Sequence, residues 1–276
     1  MQAEHEQTQA AMHDHEQGML RHLTEAKRLQ ALALVREGRL YDLGRVLDER
    51  SPAFPGRFFR QTLVRNSGEP LGVNHVDWTW EVFTATTQIG THLDTLCHLR
   101  EGDSGFGGLT AAELESAHGA ETVPQIGTRG WLVDMVADQV PLQRGEVIGL
   151  DAVAALDVQP GDAVFVHTGW GRHWDDADAY LAGEPGPGLE LAEWIAARGV
   201  PLTGCDTWSY GPVPPEDPAR PFEVPQLLNV RYGVFVVENL DLSGLAADGV
   251  GTFALVLTFP KLRGATGAWT SPIALV

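Results

Sequence analysis

The sequence predicts an α/β fold: a single domain over residues 38–276 built on a mixed β-sheet, with an N-terminal helical extension over 1–37. Three observations carry this. The second half alternates short buried apolar runs with helical stretches, the pattern of strand and helix units. The first half holds a long run of Trp, Val, Phe and Thr over residues 79–94, residue types that favour strands. No linker and no internal repeat divides the chain, and 276 residues suffice for a substantial core.

The elements follow in order. Residues 1–18 are polar and acidic, and His5, His13 and His15 there read as solvated side chains. Leu20, Leu23, Lys27 and Leu29 to Val35 form a stripe near the 3.6-residue period, so a helix is expected from Met19 to Glu37 with Gly38 as its cap. Residues 39–49 alternate enough for a strand. Pro52 and Pro55 then force a turn. FFRQTLVRN and residues 79–94 are the next strands. Thr110, followed by Glu113, marks a capping box and a short helix to His118.

Residues 129–137 and 162–170 read as buried strands. A short helix over 151–156 and a turn at Pro160 to Asp162 separate them. A helix over 188–198 leads through Gly199 into the strand VPLTGCD. Residues 233–242 and 252–259 are further strands.

Composition excludes several functions. The formal charge of -18 repels nucleic acid and anionic membrane surfaces. No apolar run approaches membrane-spanning length. With only Cys97 and Cys205, no disulfide framework is implied. The N-terminus shows no signal-peptide core, so the expected location is the cytoplasm. A small-molecule substrate is the expected partner. The amphipathic N-terminal helix needs a covering surface, either the body of its own chain or a second subunit, and the expectation is a homodimer or higher homo-oligomer.

The segment Thr86 to Leu99, TTQIGTHLDTLCHL, carries the chemistry. Side chains two apart on a strand share a face. If 82–94 runs extended, Gln88, Gly90, His92 and Asp94 lie together, with Gly90 leaving the face open. Imidazole nitrogens and a carboxylate oxygen aimed at one point suit a divalent metal. His98 follows within the same segment. A lone His is more often a satisfied core residue, but this cluster precedes an acidic, Gly-rich loop from Glu101 to Gly108.

That segment resembles the metal-dependent cyclase family, which includes bacterial kynurenine formamidase and isatin hydrolase. The family pattern is His-x-Gly-Thr-His-x-Asp-x-Pro-x-His. Gly90, Thr91, His92, Asp94 and His98 match it, while Gln88 stands at the first His and Leu96 at the Pro. PGDAVFVHTGW (160–170), GCDTWS (204–209), VENLDLSGLA (237–246) and GATGAWTSPIAL (264–275) are similar to later blocks of the family, in order. The resemblance spans roughly residues 36–276. It implies a swivelling β/β/α core with mixed, barrel-like strands. It also implies hydrolysis of an amide or lactam with two zinc ions or one manganese ion. Glu238 falls in the segment that carries a Glu ligand. Two-metal members carry a further His upstream of it, and the matching position here is Pro225.

With an imidazole missing from each presumed metal position, one Mn²⁺ or Zn²⁺ ion is expected. Its ligands would be His92, Asp94 and His98, with Gln88 adding a carbonyl oxygen. His98 is either that third ligand or the base that takes the proton of water. Glu238 ligates or orients. Trp170, Trp174, Trp208 and Tyr210, with Asp206, lie in two loops expected to flank the substrate. His167 reads as core or as support, Cys97 as packing. Ser209 has no nucleophile partners in sequence.

The first expectation is therefore a metal-dependent hydrolase of a carbon–nitrogen bond in a small cyclic or aromatic substrate. A cyclase, dehydratase or lactone hydrolase of the same fold is the alternative. A non-catalytic binding protein is the third reading.

Overall fold

A computed structural model describes residues 17–136 and 140–276. His5, His13 and His15 lie outside the described residues. The strands in chain order are β1 (Leu40–Asp42), β2 (Phe59–Arg65), β3 (Thr79–Ala85), β4 (His92–Asp94), β5 (Ile126–Asp134), β6 (Val147–Ile148), β7 (Ala163–His167), β8 (Gly186–Pro187), β9 (Leu202–Cys205), β10 (Phe235–Glu238), β11 (Thr252–Leu257), β12 (Gly267–Trp269) and β13 (Ile273–Leu275). Nine of them form one curled mixed sheet in the order β1-β13-β11-β5-β7-β9-β10-β4-β12. The centre, from β5 through β7 and β9 to β10, is parallel, and both flanks are antiparallel. The architecture is the single α/β domain that the sequence predicts.

Alternation along the strands sorts side chains between two cores. Leu93, Phe165, Leu202, Phe235 and Val237 point into one. Val164, Val166, Cys205 and Val236 point to the opposite face. That face is covered by the helix Leu189–Ala197 through Leu191, Ala192, Ile195 and Ala196. Burying a side chain of Leu or Ile size contributes about 1.5–3 kcal/mol, so these two layers hold the fold.

The N-terminal helix differs from expectation. A 3-10 turn covers Gly18–His22, and the α-helix runs only over Glu25–Leu32. Thr24 separates them because its extended backbone and side-chain oxygen cap the Lys27 N–H. The helix packs against β5 of its own chain. Lys27 reaches the fully buried Asp162 at 2.5 Å, and Leu29 and Leu32 face solvent. Gly38 adopts a left-handed backbone but lies beyond the helix, which ends at Leu32.

Two predicted strands are shorter than their sequence patterns. Only Leu40–Asp42 pairs within residues 39–49, because Asp42 Oδ1 accepts the Gly44 N–H and turns the chain. The run 79–94 divides into β3 and β4 around bends at 86–91. β2 and β3 form a separate hairpin whose Leu63, Trp80, Val82 and Phe83 are exposed. Phe59 and Phe83 brace it on Trp269.

The helix Ala111–Ala117 carries the expected Thr110–Glu113 capping box. The 151–156 segment is a 3-10 turn over Leu150–Val153. Sequence reading missed the π-helical turn Leu227–Tyr232. No helix among the described residues is long and apolar enough to cross a membrane.

Candidate metal centre and its cavity

The centre is assembled by strand register. β4 lies between β10 and β12, both antiparallel to it, and Glu238 is the cross-strand partner of His92. Directly opposed residues project from the same side of a sheet. His92, Asp94 and Glu238 therefore share one face, while Leu93 and Val237 enter the core behind it. His92 Nε2 stands 3.3 Å from Glu238 Oε2 and 3.5 Å from Asp94 Oδ1. All three side chains are buried.

The tautomer of His92 follows from its surroundings. Its Nδ1 lies 2.8 Å from the Gly90 carbonyl and donates to it, leaving the Nε2 lone pair toward the carboxylates. Gly90 needs its left-handed backbone to present that carbonyl, and Asn239 Nδ2 donates to the same oxygen. Gly90 thus serves through its backbone rather than by opening a strand face.

The site is electrostatically unbalanced on its own. Burial raises the Asp94 and Glu238 carboxyls, Glu238 to about 7, and burial lowers His92. His92 Nε2 and Asp94 Oδ1 have no hydrogen-bond partner. Leaving such groups buried and unpaired is expensive. A divalent cation would satisfy both. The one-nitrogen, two-carboxylate donor set fits it, and the candidate ligand atoms lie within 4.8 Å of one another.

The centre opens into a cavity of about 100 Å³ lined by Asp94, His98, Glu238, Phe54, Arg57, Trp208, Ser209 and Phe222, among others. The His98 ring is 18% exposed, and its Nε2 sits 3.8 Å from Asp94 Oδ2. It lines the cavity outside the His92–Asp94–Glu238 cluster. Phe54 stacks on Trp208 with centroids 5.6 Å apart, and Phe222 packs edge-on to both.

The Cyclase family model matches residues 41–212. The chain belongs to the cyclase family. A crystal structure of a novel cyclase is similar over 96% of this chain and 97% of that one, with 24% identity and a TM-score of 0.84. Isatin hydrolase A from Ralstonia solanacearum is similar at 21% identity, covering 92% and 97% of the two chains with a TM-score of 0.66. Isatin hydrolase A from Labrenzia aggregata, bound to benzyl benzoate, matches at 18% identity over 86% and 93%, also with a TM-score of 0.66. These likenesses show the fold. No curated protein matches the sequence.

Within this cyclase-family site, several predicted residues fall elsewhere. Gln88 lies on the bend before β4, not on its face. Its amide donates to Thr266 and its oxygen accepts from Thr87, so both ends are engaged by side chains away from the ligand cluster. Pro225, at the second departure from the family pattern, lines the cavity wall. Asp206 is spent on the protein. It accepts from the Thr168 N–H and hydroxyl and from the Gly171 N–H, stapling the turn after β7.

Tyr210 is fully buried in the helix-side core and hydrogen-bonds with Thr203. Trp170 packs with Tyr180 and Trp208, donating to the Tyr180 carbonyl, and does not line the cavity. Trp174 stacks under Arg45. Of the expected wall, only Trp208 faces the cavity. His167 bonds Asp134, Cys97 packs in the core, and Ser209 donates to the buried Glu184, whose carboxyl burial pushes well above its usual range.

Sequence reading missed Phe54, Arg57 and Phe222. The first two sit in a Pro-rich turn that looked like a connector. Phe222 occupies a left-handed backbone position just before a short helix. Aromatic and Arg residues beside prolines were the available signal.

Proposed function

We propose that this cyclase-family chain is a metal-dependent hydrolase that opens a carbon–nitrogen bond in a small amide or lactam. The buried cluster of His92, Asp94 and Glu238, facing a cavity that His98 also lines, carries the reading. Its likeness in fold to isatin hydrolases supports the reaction class.

His92, Asp94 and Glu238 would hold one Mn²⁺ or Zn²⁺ ion. Bound there, such an ion would supply Lewis acidity for a carbonyl and would lower the pKa of water toward about 7. The protein's own groups do the rest. The Gly90 carbonyl fixes the His92 tautomer. His98 Nε2 takes the proton removed from water and returns one to the departing nitrogen. Trp208, Phe54 and Phe222 present flat apolar surface to the substrate. One ion rather than two follows from Gln88, whose amide is occupied, and from Pro225, which has no donor.

The test is a screen of lactams, aryl formamides and lactones with metal content measured on the same sample. Chelation should abolish turnover, and Mn²⁺ or Zn²⁺ should restore it. Metal-free protein with full amidase activity would overturn the proposal. Reaction in ¹⁸O-labelled water separates hydrolysis, which must place label in the product, from cyclisation.

A further inference from the structure

We propose that Arg57 makes this cavity selective for substrates that carry a carboxylate beside the bond to be opened. The inference rests on the hydrolase reading and adds the substrate class.

The charged and titratable groups lining the cavity are Asp94, Glu238, His98 and Arg57. One dication held by His92, Asp94 and Glu238 is balanced by the two carboxylates. The Arg57 guanidinium is then a surplus positive charge in the cavity wall. Among the described residues it forms no ion pair within 4.0 Å. It reaches Glu238 and Asp94 only through longer-range charge interaction.

Arg57 is also held in place. Its Nη1 donates to the Gln88 carbonyl at 3.1 Å, and its guanidinium lies over the Phe54 ring, 5.7 Å from the centroid. An arginine has five N–H donors. The other donors have no acceptor among the described residues. A planar fork of this kind binds a carboxylate through two parallel hydrogen bonds. Phe54, Trp208 and Phe222 set a flat apolar wall beside that fork, against which an aromatic carboxylate can lie. The chain's charge of -18 repels anions in general, so this local cation is what would make a carboxylate welcome here.

The experiment uses the metal-loaded protein and two probe pairs. Benzoate and benzamide are titrated by isothermal calorimetry. 2-Formamidobenzoate and formanilide are compared as substrates by kcat/KM. The wild type should favour the carboxylate member of each pair by about tenfold or more, the effect of one charge-assisted hydrogen-bonded contact. In Arg57→Met that ratio should collapse toward one, and Arg57→Lys should recover part of it, with metal content unchanged in both.

No preference for benzoate in the wild type overturns the proposal. So does a preference that survives Arg57→Met, since the cation in the centre would then be its source. If neither these formamides nor any lactam of the screen is cleaved, the hydrolase reading fails, while the benzoate titration still decides the role of Arg57.

Discussion

Glu238 stands directly across an antiparallel strand pair from His92, with Oε2 3.3 Å from Nε2. Asp94, two residues further along β4, completes the set from the same face. Removing any one of the three should strip the ion. His92→Ala, Asp94→Asn and Glu238→Gln are each expected to lower bound metal well below one ion per chain, measured by plasma mass spectrometry on folded protein. Unchanged metal content in all three would place the ion elsewhere.

Asn239 acts one step further out. Its amide shares the Gly90 carbonyl with His92 Nδ1, and its own oxygen accepts from the Tyr180 hydroxyl. Loss of such an orienting partner typically lowers metal affinity about 10–100-fold. Asn239→Ala should do so in a competition titration against a chelator of known affinity.

His98 separates the roles of ligand and base. As a base, it should give His98→Ala a kcat reduced by about 10²–10⁴-fold with metal retained. A parallel loss of metal would make it a ligand instead.

The pH dependence has a definite sign. Burial lifts Glu238 from 4.5 to about 7 in the metal-free protein. Between those values the native state holds a proton that the unfolded chain has released. Stability of the metal-free protein therefore falls as pH rises through this window. His92, lowered by burial, works the other way below 6.5. The informative measurement is thus the difference in melting temperature between wild type and Glu238→Gln from pH 5 to 8, which should shrink as pH falls. Metal affinity should drop as pH falls through about 7, because the carboxylate must be ionised to ligate.

Asp206 tests the line between substrate contact and structure. Its carboxylate satisfies three donors at the turn after β7. Asp206→Ala leaves them unpaired, at about 1–3 kcal/mol for each buried group. Thermal unfolding should move markedly downward. An unshifted melting temperature with a raised KM would return Asp206 to the substrate.

How much of this was legible in the chain differs from residue to residue. The Thr110–Glu113 capping box, the buried runs of β7, β10 and β11, and the same-face spacing of His92 and Asp94 are local stereochemistry, written in neighbouring residues. The long β-like run over 79–94 misled, because strand propensity reports residue type and not the bends at 86–91. Tyr210 and Trp170 looked like cavity walls because an aromatic residue near a site serves equally well as core.

The sequence by itself determined the α/β class, the cyclase-family resemblance and the His92–Asp94 pair, since periodicity and spacing are short-range properties of the chain. Only the tertiary structure decided that Glu238 faces His92, that Asp206 and Gln88 are engaged elsewhere, and that Phe54, Arg57 and Phe222 reach the cavity. Those outcomes depend on strand register and on which donors find partners across the fold, and contacts between distant segments set both.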